Sequence, residues 1–157
     1  MKVVKSSDMP WADALSKGRY GQRRKPLGGE NISCGLWELA PGKKSFPMHR
    51  HHVTEEALFV MSGTASVRTP EGLTPVGPGD YVSFPAGGLA HQLINDGAVP
   101  FVYLAMGAPK GVDIIEYPDT GKIATVVGTV GSGPGKRHIF KQASQVEYFT
   151  DDVDAEG

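Results

Sequence analysis

Cysteine is almost absent from this chain of 157 residues, in which Cys34 is the single example. An intramolecular disulfide and a zinc site built on several cysteines are therefore excluded. Long apolar runs are missing as well. No stretch approaches the roughly 18 apolar residues of a membrane-spanning helix, and the first residues lack the apolar run of about 7–15 residues that a secretory signal needs. We therefore expect a cytoplasmic protein with no membrane partner.

Neither sign of charge is in excess. The chain has 16 Lys and Arg residues against 17 Asp and Glu residues, a formal net charge of −1. Nucleic-acid binding through bulk electrostatics is disfavoured by this balance, and no helix-turn-helix segment or basic helix is present. We therefore expect no nucleic-acid partner. The basic residues Arg19, Arg23, Arg24 and Lys25 form one cluster, which we interpret as a solvated arm; contact with a phosphate or an acidic ligand is the alternative.

Glycine and proline are abundant, with 21 and 12 residues. Such frequent turn residues exclude long helices and favour short strands joined by tight turns. From residue 31 onward, short apolar runs alternate with turn residues, which favours an antiparallel sandwich or barrel. The predicted strands are Ile32–Leu39, Ser45–His51, Ala57–Met61, Thr64–Thr69, Thr74–Val76, Tyr81–Phe84, His91–Ile94, Pro100–Met106 and Val112–Tyr117.

A chain of this length suits one folded domain. We predict an N-terminal arm over residues 1–30, irregular apart from a helical turn around Trp11–Leu15. A β-barrel domain follows over residues 31–127. Residues 128–157 are predicted to form a Gly-rich link and a C-terminal segment, in which Val146–Phe149 is a candidate for one edge strand.

Histidine is scarce, with five residues, yet three of them fall between positions 49 and 52. Side chains at i and i+2 of a strand share a face, so His49 and His51 are expected to point one way and His52 the other. Two imidazoles on one face can bind one metal ion. A carboxylate returning on the next strand can join them, and Glu55 and Glu56 are the candidates.

Two spaced motifs make this pattern more specific. From Gly42 to Gly63 the chain has Gly-x6-His-x-His-x4-Glu-x6-Gly, and from Gly79 to Asn95 it has Gly-x5-Pro-x-Gly-x3-His-x3-Asn. These segments resemble the two cupin motifs in the right order, each with one additional residue in a loop. The flanking sequences are similar to those of small single-domain cupins of the cupin 2 type, in the sugar-isomerase-like group. The resemblance implies an all-β fold, an antiparallel cupin (jelly-roll) β-barrel that follows the irregular N-terminal arm.

The resemblance also implies a metal site. Carried over position by position, the ligands would be His49, His51, Glu56 and His91. Three imidazoles and one carboxylate suit one divalent transition metal ion per chain, either Fe, Mn, Ni, Co or Zn, whereas Ca²⁺ and Mg²⁺ prefer oxygen ligands. Glu56 is preferred to Glu55 because its distance to the following glycine matches the motif.

Residues in phase with these ligands are expected to line the barrel. Core filling is the ordinary interpretation for each of them, and a pocket wall is the alternative. The pocket candidates are Phe46, Leu58, Val60, Leu93 and Tyr103.

The sequence contains no second carboxylate pair and no Ser-His-Asp arrangement, so catalysis would depend on the metal. The resemblance implies a metal-dependent enzyme acting on a small polar molecule, either as a sugar-type isomerase or as a dioxygenase-like oxygenase or lyase. The alternative is a non-catalytic cupin that binds or senses a small molecule. The resemblance to small cupins also implies a homodimer. We expect the partner to be a small-molecule substrate or ligand.

Overall fold

The structure is a computed structural model that describes residues 1–29, 31–109, 111–128 and 136–151. Within this part, strands dominate and the helices are single 3₁₀ turns, none of them long and apolar enough to cross a membrane. The strands are β1 (Ala12–Lys17), β2 (Tyr20–Pro26), β3 (Ser33–Leu39), β4 (Arg50–His51), β5 (Glu55–Ser62), β6 (Ala65–Thr69), β7 (Gly72–Val76), β8 (Tyr81–Phe84), β9 (Gln92–Ile94), β10 (Phe101–Ala108), β11 (Val112–Tyr117), β12 (Lys122–Val127) and β13 (Lys136–Lys141). The 3₁₀ turns are Ser6–Asp8, Pro118–Thr120 and Gln142–Ser144.

These strands form three sheets. The largest has six strands in the order β1-β2-β3-β10-β5-β8, the second has the order β13-β12-β11-β4, and the third has the order β7-β6-β9. Every pair of neighbouring strands is antiparallel. The predicted all-β, antiparallel fold is confirmed.

The main core lies between the six-stranded and three-stranded sheets. Its members alternate along each strand as the pleat requires: on β5, Leu58 and Val60 are buried whereas Phe59 and Met61 are exposed. The core residues are Leu39, Leu58, Val60, Ala65, Val67, Val76, Leu93, Phe101 and Tyr103. A second cluster joins β11 to β12. The inner face of β5 thus continues from this apolar core to Glu56.

The N-terminal arm is not irregular, so this part of the prediction was wrong. Strands β1 and β2 form a hairpin, with Gly18 in the turn at φ +57°, and β2 pairs along β3. The expected helical turn at Trp11–Leu15 is instead strand from Ala12 onward. The edge of β3 offers unpaired backbone groups, and pairing with β2 satisfies them. The many turn residues of this segment concealed that long-range pairing.

Two further strand predictions were wrong in part. The strand expected at Ser45–His51 is reduced to Arg50–His51, because proline at position 47 cannot donate to a strand ladder. Val146–Phe149 is not a strand, and the edge strand of this region is β13, which pairs with β12. Within the predicted Gly-rich link, residues 129–135 lie outside the described part of the chain.

Asn95 ties the end of β9 to its surroundings. Its fully buried side chain donates hydrogen bonds from Nδ2 to the Leu39 and Val99 carbonyl oxygens, at 2.8 and 2.9 Å, and accepts one from the Gly97 amide at 3.0 Å. This placement explains why the second motif ends in asparagine, since a carboxamide both donates and accepts.

We predict that Asn95→Ala lowers the free energy of unfolding by about 2–4 kcal/mol, because buried backbone groups lose their hydrogen-bond partners. Urea denaturation followed by circular dichroism measures the change. Gln145→Ala is the matched control, since Gln145 is exposed. A loss no larger than that of the control would contradict this role of Asn95.

Candidate metal centre

Three chain segments bring the predicted ligands together. His49 and His91 face each other across an isolated antiparallel bridge, in which the His49 amide donates to the His91 carbonyl at 3.1 Å and the His91 amide donates back at 2.8 Å. His51 lies on β4, two residues after His49, and Glu56 lies on β5. The bridge sets the imidazole rings of His49 and His91 with centroids 4.9 Å apart.

One carboxylate oxygen lies at the centre of this group. Oε2 of Glu56 is 3.5 Å from Nε2 of His51, 3.5 Å from Nε2 of His91 and 3.9 Å from Nε2 of His49. His49, His51 and Glu56 are placed to hold a metal ion, with ligand atoms that all lie within 4.8 Å of one another. Adjacent ligands of an ion with bonds of about 2.0–2.2 Å lie about 3 Å apart, so a small contraction would suffice.

The other candidates point elsewhere. Glu55 is exposed, on the opposite face of β5 from Glu56. His52 faces outward, where its Nε2 lies 3.1 Å from Oε1 of Glu116. The carboxylate of Glu116 is also bound by Arg50, its register partner. This outer ion cluster fastens β4 to β11 while the side chain of the intervening residue, His51, turns inward.

Hydrogen bonds fix the tautomers of two of the imidazoles. Nδ1 of His49 lies 2.9 Å from the Pro47 carbonyl oxygen, and Nδ1 of His51 is bonded to Oδ2 of Asp113. A carbonyl and a carboxylate can only accept, so both Nδ1 atoms carry the proton and both Nε2 lone pairs face Glu56. That donor set fits a divalent transition metal ion.

His91 is held by stacking instead. Its ring lies parallel to that of Phe84, with centroids 3.7 Å apart and an interplanar angle of 11°. Its buried Nδ1 has no hydrogen-bond partner among the described residues. Phe84 is the register partner of Glu56 on β8, so the same strand pair positions both the carboxylate and the ring.

Asp113 is the functional residue to which the sequence analysis gave no role. Its buried carboxylate accepts hydrogen bonds from His51, from the Thr54 side chain and from the Val53 amide, the last at 3.0 Å. Burial alone would raise the pKa of Asp113, but these hydrogen bonds outweigh it and lower the pKa. Asp113 shares the inward face of β11 with Ile115 and Tyr117, but the sequence does not show this, because the outward neighbours Val112 and Ile114 are apolar too.

The electrostatics favour the ionisation state that a metal ion needs. Burial, together with the neighbouring His91 and His51, lowers the pKa of His49 to about 4, against the opposing pull of Glu56. Burial would raise the pKa of Glu56, but the hydrogen bond with His91 and the electrostatic influence of the neighbouring histidines lower it overall. At neutral pH the site therefore holds a neutral His49 and an ionised carboxylate.

The pocket candidates divide into two groups. Leu58, Val60, Leu93 and Tyr103 are buried members of the main core. Phe46 is 37% exposed and lies beside the site, with its ring centroid 6.2 Å from that of His49. A role of these residues as pocket walls stays a prediction.

The hydroxyl of Tyr103 is already engaged. It donates to Oε1 of Gln22 at 3.2 Å, and burial raises its pKa well above the ordinary value. Gln22 is itself buried on β2, and its Nε2 has no partner among the described residues. The N-terminal hairpin therefore contributes a polar side chain to the interior of the barrel, which the sequence analysis missed.

Comparison with known proteins agrees with this fold. Residues 35–107 match the family model described as a cupin domain. A solved structure from Acidithiobacillus ferrooxidans, named provisionally as a sugar phosphate isomerase, is 27% identical with a TM-score of 0.77, and the match covers 90% of each chain. A sugar phosphate isomerase of the cupin superfamily from Silicibacter pomeroyi has a TM-score of 0.76 over 91% of this chain and 94% of that one, and at 22% identity it supports the fold alone.

A curated relative, germin-like protein 1 of Brassica napus, is 34% identical over 98 residues. The match covers 58% of this chain but spans only 46% of the length of that relative. The family model and the relative match on sequence, and the two solved structures share the fold over 90% and 91% of this chain. Residues 35–107 therefore match a cupin domain, and the fold of the chain is that of solved cupin structures such as the Silicibacter pomeroyi protein.

Proposed function

We propose that each chain binds one divalent transition metal ion through His49, His51, Glu56 and His91. The observation that carries the proposal is the convergence of three Nε2 atoms on one oxygen of Glu56. The Nδ1 hydrogen bonds of His49 and His51 support it, because they leave both Nε2 lone pairs free. The ion is Fe, Mn, Ni, Co or Zn, since all of these accept imidazole and carboxylate ligands.

We further infer that the protein is a metal-dependent enzyme that isomerises a small sugar derivative. A bound ion of this kind would act as a Lewis acid that polarises a substrate oxygen. The chain supplies an open approach, because the side chain of Glu56 is 32% exposed. Leu58 and Val60, at 2% and 1% exposure on the same strand face, close the interior below the site and exclude water from it. The resemblance to the Acidithiobacillus protein favours a phosphorylated sugar.

A second candidate function is the binding or sensing of a small molecule without turnover. It is favoured by the lack of a free acid or base among the described residues beside the site. Asp113 is hydrogen-bonded to His51, Glu116 is hydrogen-bonded to Arg50 and lies within reach of His52, and Tyr103 is buried with a raised pKa. In this case the same metal ion would hold the ligand without transforming it.

The two functions are separated by proton exchange. The metal-loaded protein is incubated in D₂O with a set of aldose and ketose phosphates and followed by ¹H NMR. Isomerisation predicts interconversion with deuterium incorporated beside the carbonyl, and loss of both in His91→Ala. Ligand-induced thermal stabilisation with no product and no exchange would support the binding function instead.

We predict that the wild-type chain, purified without added metal or chelator, holds close to one metal ion, and that His49→Ala and His91→Ala each abolish it. Removing one imidazole leaves an incomplete ligand set and a buried gap. Elemental analysis with circular dichroism on the same samples measures this. His138→Ala is the matched control, since His138 is exposed on β13. Metal retained in both ligand variants would contradict the assignment.

We predict that Asp113→Asn weakens metal affinity by about 10–100-fold, because the carboxamide can present a donor to Nδ1 of His51 and disturb its tautomer. A competition titration against a chromogenic chelator measures the affinity. Asp119→Asn is the matched control, since Asp119 pairs with Arg68 at 2.6 Å on the surface. Equal affinities of the two variants would exclude the positioning role of Asp113.

We also propose a homodimer formed through the outer face of the six-stranded sheet. Phe59, Met61 and Tyr81 are 37%, 50% and 61% exposed there. In register, Phe59 lies between Tyr81 on one side and Leu104 on the other. An apolar sheet face of this kind is stabilised when a second copy covers it.

We predict that Phe59→Arg converts the dimer to a monomer, because a guanidinium would be buried without a partner. Light scattering coupled to size-exclusion chromatography gives the molar mass. Leu73→Arg, at a position on β7 that is 61% exposed, should leave the mass unchanged. A monomeric wild type, or a Phe59→Arg dimer, would refute this interface.

A further inference from the structure

Arg24 differs from its two basic neighbours in the face of β2 that it occupies. Gln22 is 4% exposed and accepts the hydrogen bond of Tyr103 in the core, so the Gln22 face of β2 is the inner one. Arg24 lies two residues later, on the same face, and is partly buried. Arg23 faces outward, where its Nε donates to Glu38 at 2.7 Å. Lys25 donates to the backbone of the N-terminal segment.

The strand register shows that Arg24 lies toward the metal centre. Gln22 pairs with Leu39 and Arg24 pairs with Trp37, so the step from Gln22 to Arg24 runs toward the start of β3. The first residue of β3, Ser33, pairs with Gly107 of β10.

Gly107 in turn pairs with Glu56 of β5. The start of β3 and the metal centre therefore lie at the same end of the barrel. Arg24 lies two residues closer to that end than the buried Gln22 does.

Aromatic contacts connect Arg24 to the site. The guanidinium carbon lies 5.5 Å from the centroid of the Trp37 ring. The rings of Trp37 and Phe46 meet edge to face at 5.6 Å, and those of Phe46 and His49 at 6.2 Å. Arg24, Trp37 and Phe46 thus form one continuous wall that ends at a candidate metal ligand.

Two glycines, Gly35 and Gly107, lie on the inner face of the strands beside this wall. A Cβ atom on Gly35 would lie 2.8 Å from Nε1 of Trp37, so the indole N–H edge fills the place where a side chain would stand. Gly107, on the same inner face, is the register partner of Glu56. The place of a side chain at Gly107 is taken by Ser33, whose Oγ would lie 3.0 Å from a Cβ atom there.

Two strong donors on this wall have no acceptor within the described part of the chain. The guanidinium of Arg24 forms neither a salt bridge nor a hydrogen bond with a described residue, and Nε1 of Trp37 donates to none. A guanidinium and an indole N–H can together bind an oxyanion, and the planar fork of arginine suits phosphate and carboxylate groups.

We propose that Arg24 and Trp37 form an oxyanion subsite that binds the acidic substituent, phosphate or carboxylate, of the small molecule reaching the metal centre. This inference rests on the proposed function, because it assigns a second contact to the same ligand. Arg24 thus differs from Arg23, which is paired with Glu38 on the outer face of the same strand. Arg24 and Trp37 are specificity residues, and the metal centre binds the other end of the ligand.

The test measures oxyanion binding without turnover. The full chain, stripped of metal with EDTA, is titrated with inorganic phosphate and followed by isothermal calorimetry and ³¹P NMR. A separate titration with acetate is followed by isothermal calorimetry. We expect Arg24→Met to raise the Kd for phosphate at least ten-fold, since it removes the charge but keeps the apolar stem over Trp37. Arg23→Met, the matched control on the outer face, should change it less than two-fold. Preference for phosphate over acetate identifies a phosphorylated ligand, and the reverse identifies a carboxylate.

Two further variants keep the proposal testable if Arg24→Met fails to fold. Arg24→Lys keeps the charge and loses the fork, and Trp37→Phe keeps the ring and loses the donor. Both should weaken phosphate binding by several fold with the circular dichroism spectrum unchanged. Wild-type affinity in Arg24→Met or in both of these variants would overturn the proposal, as would a wild type that binds neither probe.

Metal content, measured on the same preparations before EDTA, separates this inference from the proposed function. If the wild type holds no metal and phosphate binding still depends on Arg24, the subsite stands and the metal-dependent function fails. If the metal is held and Arg24→Met binds phosphate as the wild type does, the function stands and the subsite fails.

Discussion

The backbone bridge between His49 and His91 is the constraint on which the site depends. Its two hydrogen bonds join segments that lie 42 residues apart in the sequence and set their imidazoles side by side. Once those two rings are fixed, β4 carries His51 to the same side, and β5 needs only a short loop to return Glu56 beneath them. The ligand geometry is thus a consequence of strand pairing, which makes it rigid before any ion binds.

The carboxylate of Glu56 would be costly to bury alone, and the three surrounding imidazoles offset that cost. Asp113 plays the complementary part behind His51, where it accepts hydrogen bonds from three groups. Two carboxylates therefore flank the imidazole of His51, with Glu56 on its Nε2 side and Asp113 on its Nδ1 side. The inner carboxylate is available to an ion, whereas the outer one holds the ring that would bind it.

The spacing of residues along the chain predicted the part of the site whose residues lie close together in sequence. His49, His51 and Glu56 lie within eight residues of sequence, so their spacing and the alternation of strand faces sufficed to group them. His91 required the second motif, because nothing near it in sequence reports its partner. Asp113 and the pairing of β2 with β3 could not be predicted, since strand partners distant in sequence leave no periodic signal. The prediction of an irregular N-terminal arm was wrong for the same reason. The turn residues of the arm can be recognised in the sequence, whereas the edge of β3 that it covers cannot.

Segments outside the matched cupin domain contribute side chains around the candidate site. The cupin match ends at residue 107 and begins at residue 35, so it contains the four candidate ligands but neither Asp113 nor Arg24. The segments outside it supply the carboxylate that orients His51 and the two inward side chains of β2, Gln22 and Arg24. A shared barrel can therefore provide the metal chemistry, while the strands added at its edges determine which ligand reaches it. In this chain the added hairpin carries Arg24, whose guanidinium lies over Trp37 and which we propose selects an acidic ligand.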